Sequence, residues 1–132
     1  MLTDDDRCPC GSGDPYGDCC GRFHRGEAAP TPEALMRSRY SAFVVGDAGY
    51  LLATWDPAHR PADLVLDPGT EWLRLVVVRA EGGPFDVRGT VEFEAHHRTG
   101  GRRGVQHEVS EFVRRGGTWS YVTGSSVTGS AG

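Results

Sequence analysis

The sequence predicts an α+β domain in which helices precede an antiparallel sheet, with a short cysteine-rich segment ahead of both. Residues 32–55 place apolar side chains three or four positions apart, as helices do, whereas residues 71–123 alternate apolar and polar side chains, as half-buried strands do. Helices followed by a run of strands indicate that one sheet face packs on the helices. A chain of 132 residues is long enough for one such core and a small appendage.

Two helices are expected in the first part of this domain. Thr31 suits the N-cap of a helix over 32–46, Pro32 suits its first turn, and Gly46 ends it. The apolar residues of this helix share one face: Leu35, Met36, Tyr40, Phe43 and Val44. Its polar residues fall mostly on other faces: Arg37, Ser38 and Ser41. A second helix is expected over 48–55, before proline forces a loop.

Four strands are expected in the second part, near 71–80, 85–95, 103–115 and 118–123. Pairs of glycines separate them, and such short connections favour an antiparallel meander. The clearest alternation sets these residues on one face: Phe85, Val87, Val91, Phe93 and Ala95. Residues 124–132 are almost all small, so we expect a disordered tail there.

Four cysteines lie close together near the start of the chain: Cys8, Cys10, Cys19 and Cys20. Two thiol pairs separated by a glycine-containing loop can supply a tetrahedral site, and thiolates in that geometry suit zinc. Because the surrounding segment is too polar to form a core of its own, we expect a bound zinc ion to order it. His24 is an alternative to Cys20 as the fourth ligand, since it lies only four residues further on.

Composition and charge argue against several classes of partner. The formal net charge is −4 and all 14 basic residues are arginines, so general nucleic-acid binding is not expected. The first residues include Asp4, Asp5 and Asp6 and lack the basic and apolar regions of a secretory signal. The longest apolar stretch, 75–78, is too short to cross a bilayer. We therefore expect a cytoplasmic protein without membrane partners.

The cysteine segment resembles the SEC-C zinc motif. The residues that carry the resemblance are Cys8-Pro9-Cys10-Gly11-Ser12-Gly13, Tyr16 and Cys19-Cys20-Gly21. The last ligand of that motif is either Cys or His, and Cys20 stands at its position here. A similar module in the C-terminal tail of the SecA translocation ATPase binds partner proteins. The resemblance therefore implies a zinc site and a protein partner.

The rest of the chain resembles the uncharacterised YchJ-like family. The residues that carry this resemblance lie at 36–43, 50–55 and 71–73, and include His107, Glu108, Ser110, Phe112 and Trp119. The family implies an NTF2-like domain, in which helices close one side of a curved antiparallel sheet to form a cone. It implies a SEC-C module over 1–26 and an NTF2-like domain over 27–123, ahead of the tail.

A pocket in the cone would gather charged and aromatic side chains. The candidates are Arg37, Arg39, Tyr40, Trp55, His107, Glu108 and Ser110. We assign no catalytic residue, because the sequence has neither a nucleophile elbow nor a phosphate loop. Our first hypothesis is a zinc-containing adaptor whose SEC-C module docks a protein partner. The alternative is a small-molecule-binding protein or enzyme with its pocket in the cone and Glu108 or His107 as a general base.

Overall fold

The fold is described for residues 2–127 in a computed structural model. Within this range, three helices precede four strands, and one 3₁₀ turn lies at Tyr16–Asp18. The helices are α1 (Cys20–His24), α2 (Pro32–Val45) and α3 (Ala48–Ala53). The strands are β1 (Thr70–Glu81), β2 (Arg88–Thr99), β3 (Arg102–Arg115) and β4 (Thr118–Ser126). The predicted α+β class and the order of its elements are confirmed.

The four strands form one antiparallel sheet in the order β1-β2-β3-β4. Two glycine pairs make its tight hairpins, with Gly100-Gly101 between β2 and β3 and Gly116-Gly117 between β3 and β4. All four glycines have positive φ, which two-residue turns need in order to match the twist of the strands. Register shifts between β1 and β2 and between β3 and β4 mark bulges, which bend a sheet and increase its twist.

Helix α2 lies between one face of the sheet and the N-terminal module, which we define as residues 2–26. The helix begins where Thr31 Oγ1 accepts a hydrogen bond from the Ala34 amide at 3.1 Å. It ends at Gly46, whose φ of 78° is left-handed, so both predicted ends are confirmed. None of the helices within residues 2–127 is long and apolar enough to cross a membrane.

The enclosed position of α2 buries polar residues that lie off its apolar face. Ser38 and Ser41 are fully buried and Arg39 is only 5% exposed, whereas Val44 is exposed. The module covers the side of the helix that faces away from the sheet, so small polar residues are buried there. Ser38 Oγ lies 2.7 Å from the hydroxyl oxygen of Tyr50, which satisfies one of these buried groups.

The main core is shared by the helices, the sheet and the N-terminal module. Its largest members from α2 and the sheet are Leu35, Met36, Tyr40, Leu75, Val91, Phe93, Phe112 and Trp119. Phe23 from α1 and Ala29 belong to the same cluster. The module is therefore packed into the domain that follows it.

Two predicted strand boundaries are corrected by the structure. Strand β2 begins at Arg88, and Phe85 is 93% exposed, because the Gly83 amide and the Asp86 carboxylate close a turn at 2.8 Å. Strand β4 continues to Ser126, so residues 124–126 do not belong to a disordered tail. Their backbone pairs with β3, which requires no large side chains. Residues 128–132 of the predicted tail lie outside the described residues.

Candidate metal centre and cavity

The four cysteines of the N-terminal module converge on one point. Their Sγ atoms all lie within 4.8 Å of one another, and Cys10 and Cys19 are separated by 3.7 Å. A tetrahedral zinc site with Zn–S bonds of about 2.3 Å requires sulfur atoms roughly 3.8 Å apart. Three of the cysteines are buried, and Cys19 is half-buried. The residues therefore fit a tetrahedral metal ion with four thiolate ligands.

Local backbone contacts bring the two thiol pairs together. The Cys8 amide donates to the Asp14 carbonyl at 2.9 Å, which closes the loop between the pairs. Cys19 follows the 3₁₀ turn and Cys20 begins α1. At Gly21 a Cβ would lie 2.7 Å from the Tyr16 carbonyl oxygen, so this close approach requires glycine.

The protonation of the thiols shows why this cluster suits a cation. Hydrogen bonds from the Cys10 and Cys20 thiols hold the pKa of Cys8 far below its ordinary value. The bonds that Cys20 shares with Cys10 and Cys8, together with burial, raise the pKa of Cys20. Burial raises the pKa of Cys19 to about 11. Four neighbouring thiolates repel one another, and a bound cation replaces the protons that otherwise separate their charges.

Polar groups around the sulfur atoms support the centre. Ser12 Oγ lies 3.2 Å from Cys19 Sγ, and Ser41 Oγ of α2 lies 3.7 Å from Cys8 Sγ. Arg37, also on α2, donates to the Cys10 carbonyl at 2.8 Å and to the Glu33 carboxylate at 3.0 Å. Such contacts orient the ligands of a metal site. Arg37 therefore belongs to the surroundings of the cysteines, which corrects its place among the expected pocket residues.

His24, the alternative ligand, is occupied elsewhere. Its Nε2 lies 2.8 Å from the Ser38 carbonyl oxygen, and its Nδ1 lies 2.5 Å from the Tyr16 hydroxyl. Since a carbonyl only accepts, Nε2 donates to it, and in the neutral ring Nδ1 accepts from Tyr16. Both ring nitrogens are therefore engaged, and His24 connects the module to α2 instead of completing the cysteine cluster.

A cavity of about 250 Å³ lies on the other side of α2, inside the cone. It is lined by Met36, Arg39, Tyr40, Phe43, Trp55, Leu64, Trp72, Phe93, Ala95, Gln106, Glu108, Ser110 and Tyr121. The register of β2 and β3 sets Phe93 opposite Glu108 and Ala95 opposite Gln106, so all four point to the face of the sheet that lines the cavity. Five of the seven expected pocket residues lie together here.

His107 does not line the cavity, because neighbouring residues on a strand face opposite sides of the sheet. Its Nε2 lies 2.7 Å from the Glu92 carboxylate on the outer face. Glu108 faces inward, and its Oε1 accepts from the Gln106 amide at 2.6 Å. Of the two residues expected as alternative general bases, only Glu108 is in the cavity.

Arg39 is the buried positive charge of the cavity. One guanidinium nitrogen, Nη1, donates to the Leu51 carbonyl and to Thr54 Oγ1, both at 2.7 Å. The guanidinium carbon lies 4.4 Å from the ring centre of Tyr121 and 5.4 Å from that of Trp55. Burial lowers the pKa of Arg39 to about 10, so the group stays charged at neutral pH.

Several cavity residues were not among the sequence candidates. Trp72 forms part of the aromatic wall, with its ring centre 6.1 Å from Tyr40 and 5.7 Å from Phe43. Gln106 could have been found by period-two spacing from Glu108 and Ser110. Tyr121 required the pairing of β4 with β3, and Leu64 comes from an irregular segment that carries no periodic signal.

The comparisons with known proteins cover both parts of the chain. The profile of the middle NTF2-like domain of YchJ matches residues 31–124, and the SEC-C motif matches residues 6–22. A UPF0225 protein of Corynebacterium glutamicum is 55% identical over 120 residues, which are 89% of this chain and 95% of that relative. A UPF0225 protein of Streptomyces coelicolor is 55% identical over 119 residues, which are 89% of this chain and 93% of the relative.

Two solved structures have the same fold. A SEC-C motif containing protein from Rhodopseudomonas palustris has a TM-score of 0.82 and 38% identity, covering 92% of this chain and 99% of the other. A SEC-C motif containing protein from Psychrobacter arcticus has a TM-score of 0.79 and 30% identity, covering 93% and 84%. These matches extend over the cysteine cluster and the sheet together, and the chain therefore belongs to the YchJ family, with a SEC-C motif followed by an NTF2-like domain.

Proposed function

We propose that this protein is a cytoplasmic, zinc-containing protein that binds a small organic molecule in its cone. The observation that carries the proposal is the cavity of about 250 Å³, in which aromatic rings and polar groups line one space. Small-molecule sites usually combine a mostly apolar lining with a few placed polar groups. Ser110 illustrates this combination, because it is buried and its Oγ makes no hydrogen bond to any residue within 2–127.

In this proposal, zinc has a structural role. It would be held by Cys8, Cys10, Cys19 and Cys20, whose soft thiolates in tetrahedral arrangement suit it. A free thiol cluster of this kind is stable in a reducing compartment, which supports a cytoplasmic location. Because α2 lies between the cluster and the cavity, the ordered module would support the helix that carries Arg39 and Tyr40.

Metal analysis of the purified protein tests the first part of the proposal. We expect one zinc ion per chain by inductively coupled plasma mass spectrometry. Addition of a strong chelator should release the zinc and lower the melting temperature. Iron as the stoichiometric metal, or a protein that folds equally well without metal, would contradict the structural zinc role.

Titration with 2-naphthol, a small neutral aromatic probe, tests the ligand site. Ligand-observed NMR should show binding to the wild type, and ¹H–¹⁵N spectra of the labelled protein should show amide shifts in β2 and β3. Ala95→Leu places a larger side chain on the cavity wall, so the probe should no longer bind. Val105→Leu, on the exposed part of β3, is the matched control and should bind as the wild type does. Binding that survives Ala95→Leu unchanged would place the probe elsewhere.

A second candidate function is the adaptor, in which the SEC-C module docks a protein partner. The observation that favours it is the charge of the module surface, which exposes Asp4, Asp5, Asp6, Asp14 and Asp18. Only Asp4 among them forms an ion pair within residues 2–127, with Arg25 at 3.5 Å. This surface would suit a basic partner.

Charge removal tests the adaptor. Asp5, Asp14 and Asp18 make no side-chain hydrogen bonds within the described range, so changing all three to Asn should leave folding and metal content intact. Capture of basic proteins should then fall relative to the wild type. Asp63→Asn, Glu81→Gln and Glu111→Gln together, all exposed on the domain, are the charge-matched control. Equal capture by both variants would argue against the adaptor.

A further inference from the structure

Arg39 carries a charge that the described part of the chain does not neutralise. It is 5% exposed, and no carboxylate oxygen within residues 2–127 lies within the 4.0 Å of an ion pair. Its Nε and Nη2 make no hydrogen bond within the same range, and both atoms keep some solvent-accessible surface. A buried, unpaired charge is costly, so this arrangement favours an anion that enters from the cavity.

The carboxylate of the cavity itself does not serve as this anion. Glu108 lies on β3 and is held by the Gln106 amide at 2.6 Å. Burial raises the pKa of Tyr121. The charge of Arg39 lowers this pKa, and the charge of Glu108 raises it. The hydroxyl of Tyr121 therefore feels both charges, and within residues 2–127 no ion pair joins Glu108 to Arg39.

The guanidinium of Arg39 is also held in place before any ligand arrives. Its Nη1 is fixed by the Leu51 carbonyl and by Thr54 Oγ1, and its plane is flanked by the rings of Tyr121 and Trp55. The nitrogens without partners form the fork that binds a carboxylate through two parallel hydrogen bonds. A fixed group loses little conformational entropy on binding, which favours affinity.

The remaining walls determine the shape of the ligand. Tyr40, Phe43 and Trp72 form an aromatic surface on the same cavity, with ring centres about 6 Å apart. A space of about 250 Å³ holds on the order of ten non-hydrogen atoms, if each takes up the roughly 30 Å³ of a water molecule in the liquid. The size and lining suit a small aromatic or apolar body.

Resting on the ligand-binding function above, we propose that the cone takes a small organic acid. Arg39 binds its carboxylate, and its aromatic or apolar body packs against Tyr40, Phe43 and Trp72. Ser110 also lines the cavity, and its Oγ is available to a polar substituent of the ligand.

The test compares phenylacetate with phenylacetamide, which have the same shape and differ in charge. Calorimetry and amide NMR shifts on the zinc-loaded full chain should show phenylacetate binding at least about tenfold more tightly, since hydrogen bonds to charged groups are worth that much. Arg39→Met should abolish this preference and leave phenylacetamide binding within about threefold of the wild type. Arg98→Met, near the end of β2 and outside the cavity lining, is the control and should keep the preference.

The outcomes separate this inference from the proposed function. Two results would contradict the organic-acid ligand without contradicting the proposed ligand site. One is equal affinity for the acid and the amide, and the other is binding of 2-naphthol without binding of phenylacetate. No binding of any of the three probes would overturn both. If Arg39→Met loses its metal or unfolds, Arg39→Lys decides the matter, because it keeps the charge and should retain part of the preference. An Arg39→Lys variant that binds both probes equally would overturn the inference.

Discussion

The two sides of α2 differ in how their polar groups are hydrogen-bonded. Those that face the N-terminal module have partners, whereas several that face the cavity have none among the described residues. On the module side of α2, both ring nitrogens of His24 have partners, and Arg37 bonds to the Cys10 carbonyl and to Glu33. In the cavity, two nitrogens of Arg39 and the Oγ of Ser110 have no partner within residues 2–127. Satisfied polar groups stabilise a fold, whereas unsatisfied groups beside a cavity are available to a ligand. Stability and binding are therefore expected to be separable by substitution.

The largest effect is expected from Cys20→Ser, which removes one ligand from the cluster. Metal binding supplies much of the folding energy of small zinc modules, and this module shares Phe23 with the main core. We expect loss of bound metal and a drop of at least about 3 kcal/mol in the free energy of unfolding, or roughly 10 °C in Tm. Metal analysis and thermal denaturation measure the two effects.

The control for this variant is Ser12→Ala. It removes an exposed hydroxyl next to Cys19 and keeps all four sulfur atoms. It should retain the metal and lose less than about 1 kcal/mol. A Cys20→Ser protein that is as stable as this control would show that the module does not support the domain.

A smaller effect is expected from His24→Ala. The substitution leaves the Ser38 carbonyl without its donor and the Tyr16 hydroxyl without its acceptor. We expect a loss of about 1–3 kcal/mol in the free energy of unfolding, because the Ser38 partner is buried. The metal content should stay at the wild-type value. Loss of the metal from a variant that remains folded would make His24 a ligand.

The smallest effect on stability is expected from Ser110→Ala, on the cavity side of the comparison. The hydroxyl makes no hydrogen bond within residues 2–127, so removing it costs no internal partner. We expect the free energy of unfolding to change by less than about 0.5 kcal/mol, with the metal retained. Chemical denaturation measures this change. A large destabilisation would mean that Ser110 has a structural role and would weaken the distinction between the two sides of α2.

Local sequence signals predicted much of the fold. Thr31 and Gly46 define the ends of α2, and the glycine pairs define two hairpins, because capping and positive φ are properties of single residues and their neighbours. The strand boundaries were harder. The alternation that includes Phe85 continues into a turn, and small residues near 124–126 pair through their backbone without showing any apolar pattern.

The cysteine cluster could be predicted because sequence spacing alone brings its residues together. Part of the cavity lining was missed because it depends on how distant elements pack. The four cysteines are close in sequence, so their convergence follows from a short loop. The cavity is built from α2, all four strands and the loop between α3 and β1, so its members depend on register and on the angle of the helix. Arg37 and Arg39 are two residues apart on α2, yet one supports the cysteines and the other lies in the cavity. Which arginine faces which side depends on where the module packs.

Helix α2 lies between the N-terminal module and the sheet, and this limits which side chains relatives can carry at its buried positions. Ser38 and Ser41 have no room for a larger side chain, because the module lies directly against them. A relative that replaces either serine by a bulkier residue must also change Tyr16, His24 or the cysteine loop. We therefore expect these positions to vary together across the family. A relative that lacks the module should carry a different residue at the position of Ser41, since the contact of its Oγ with Cys8 Sγ would have no counterpart.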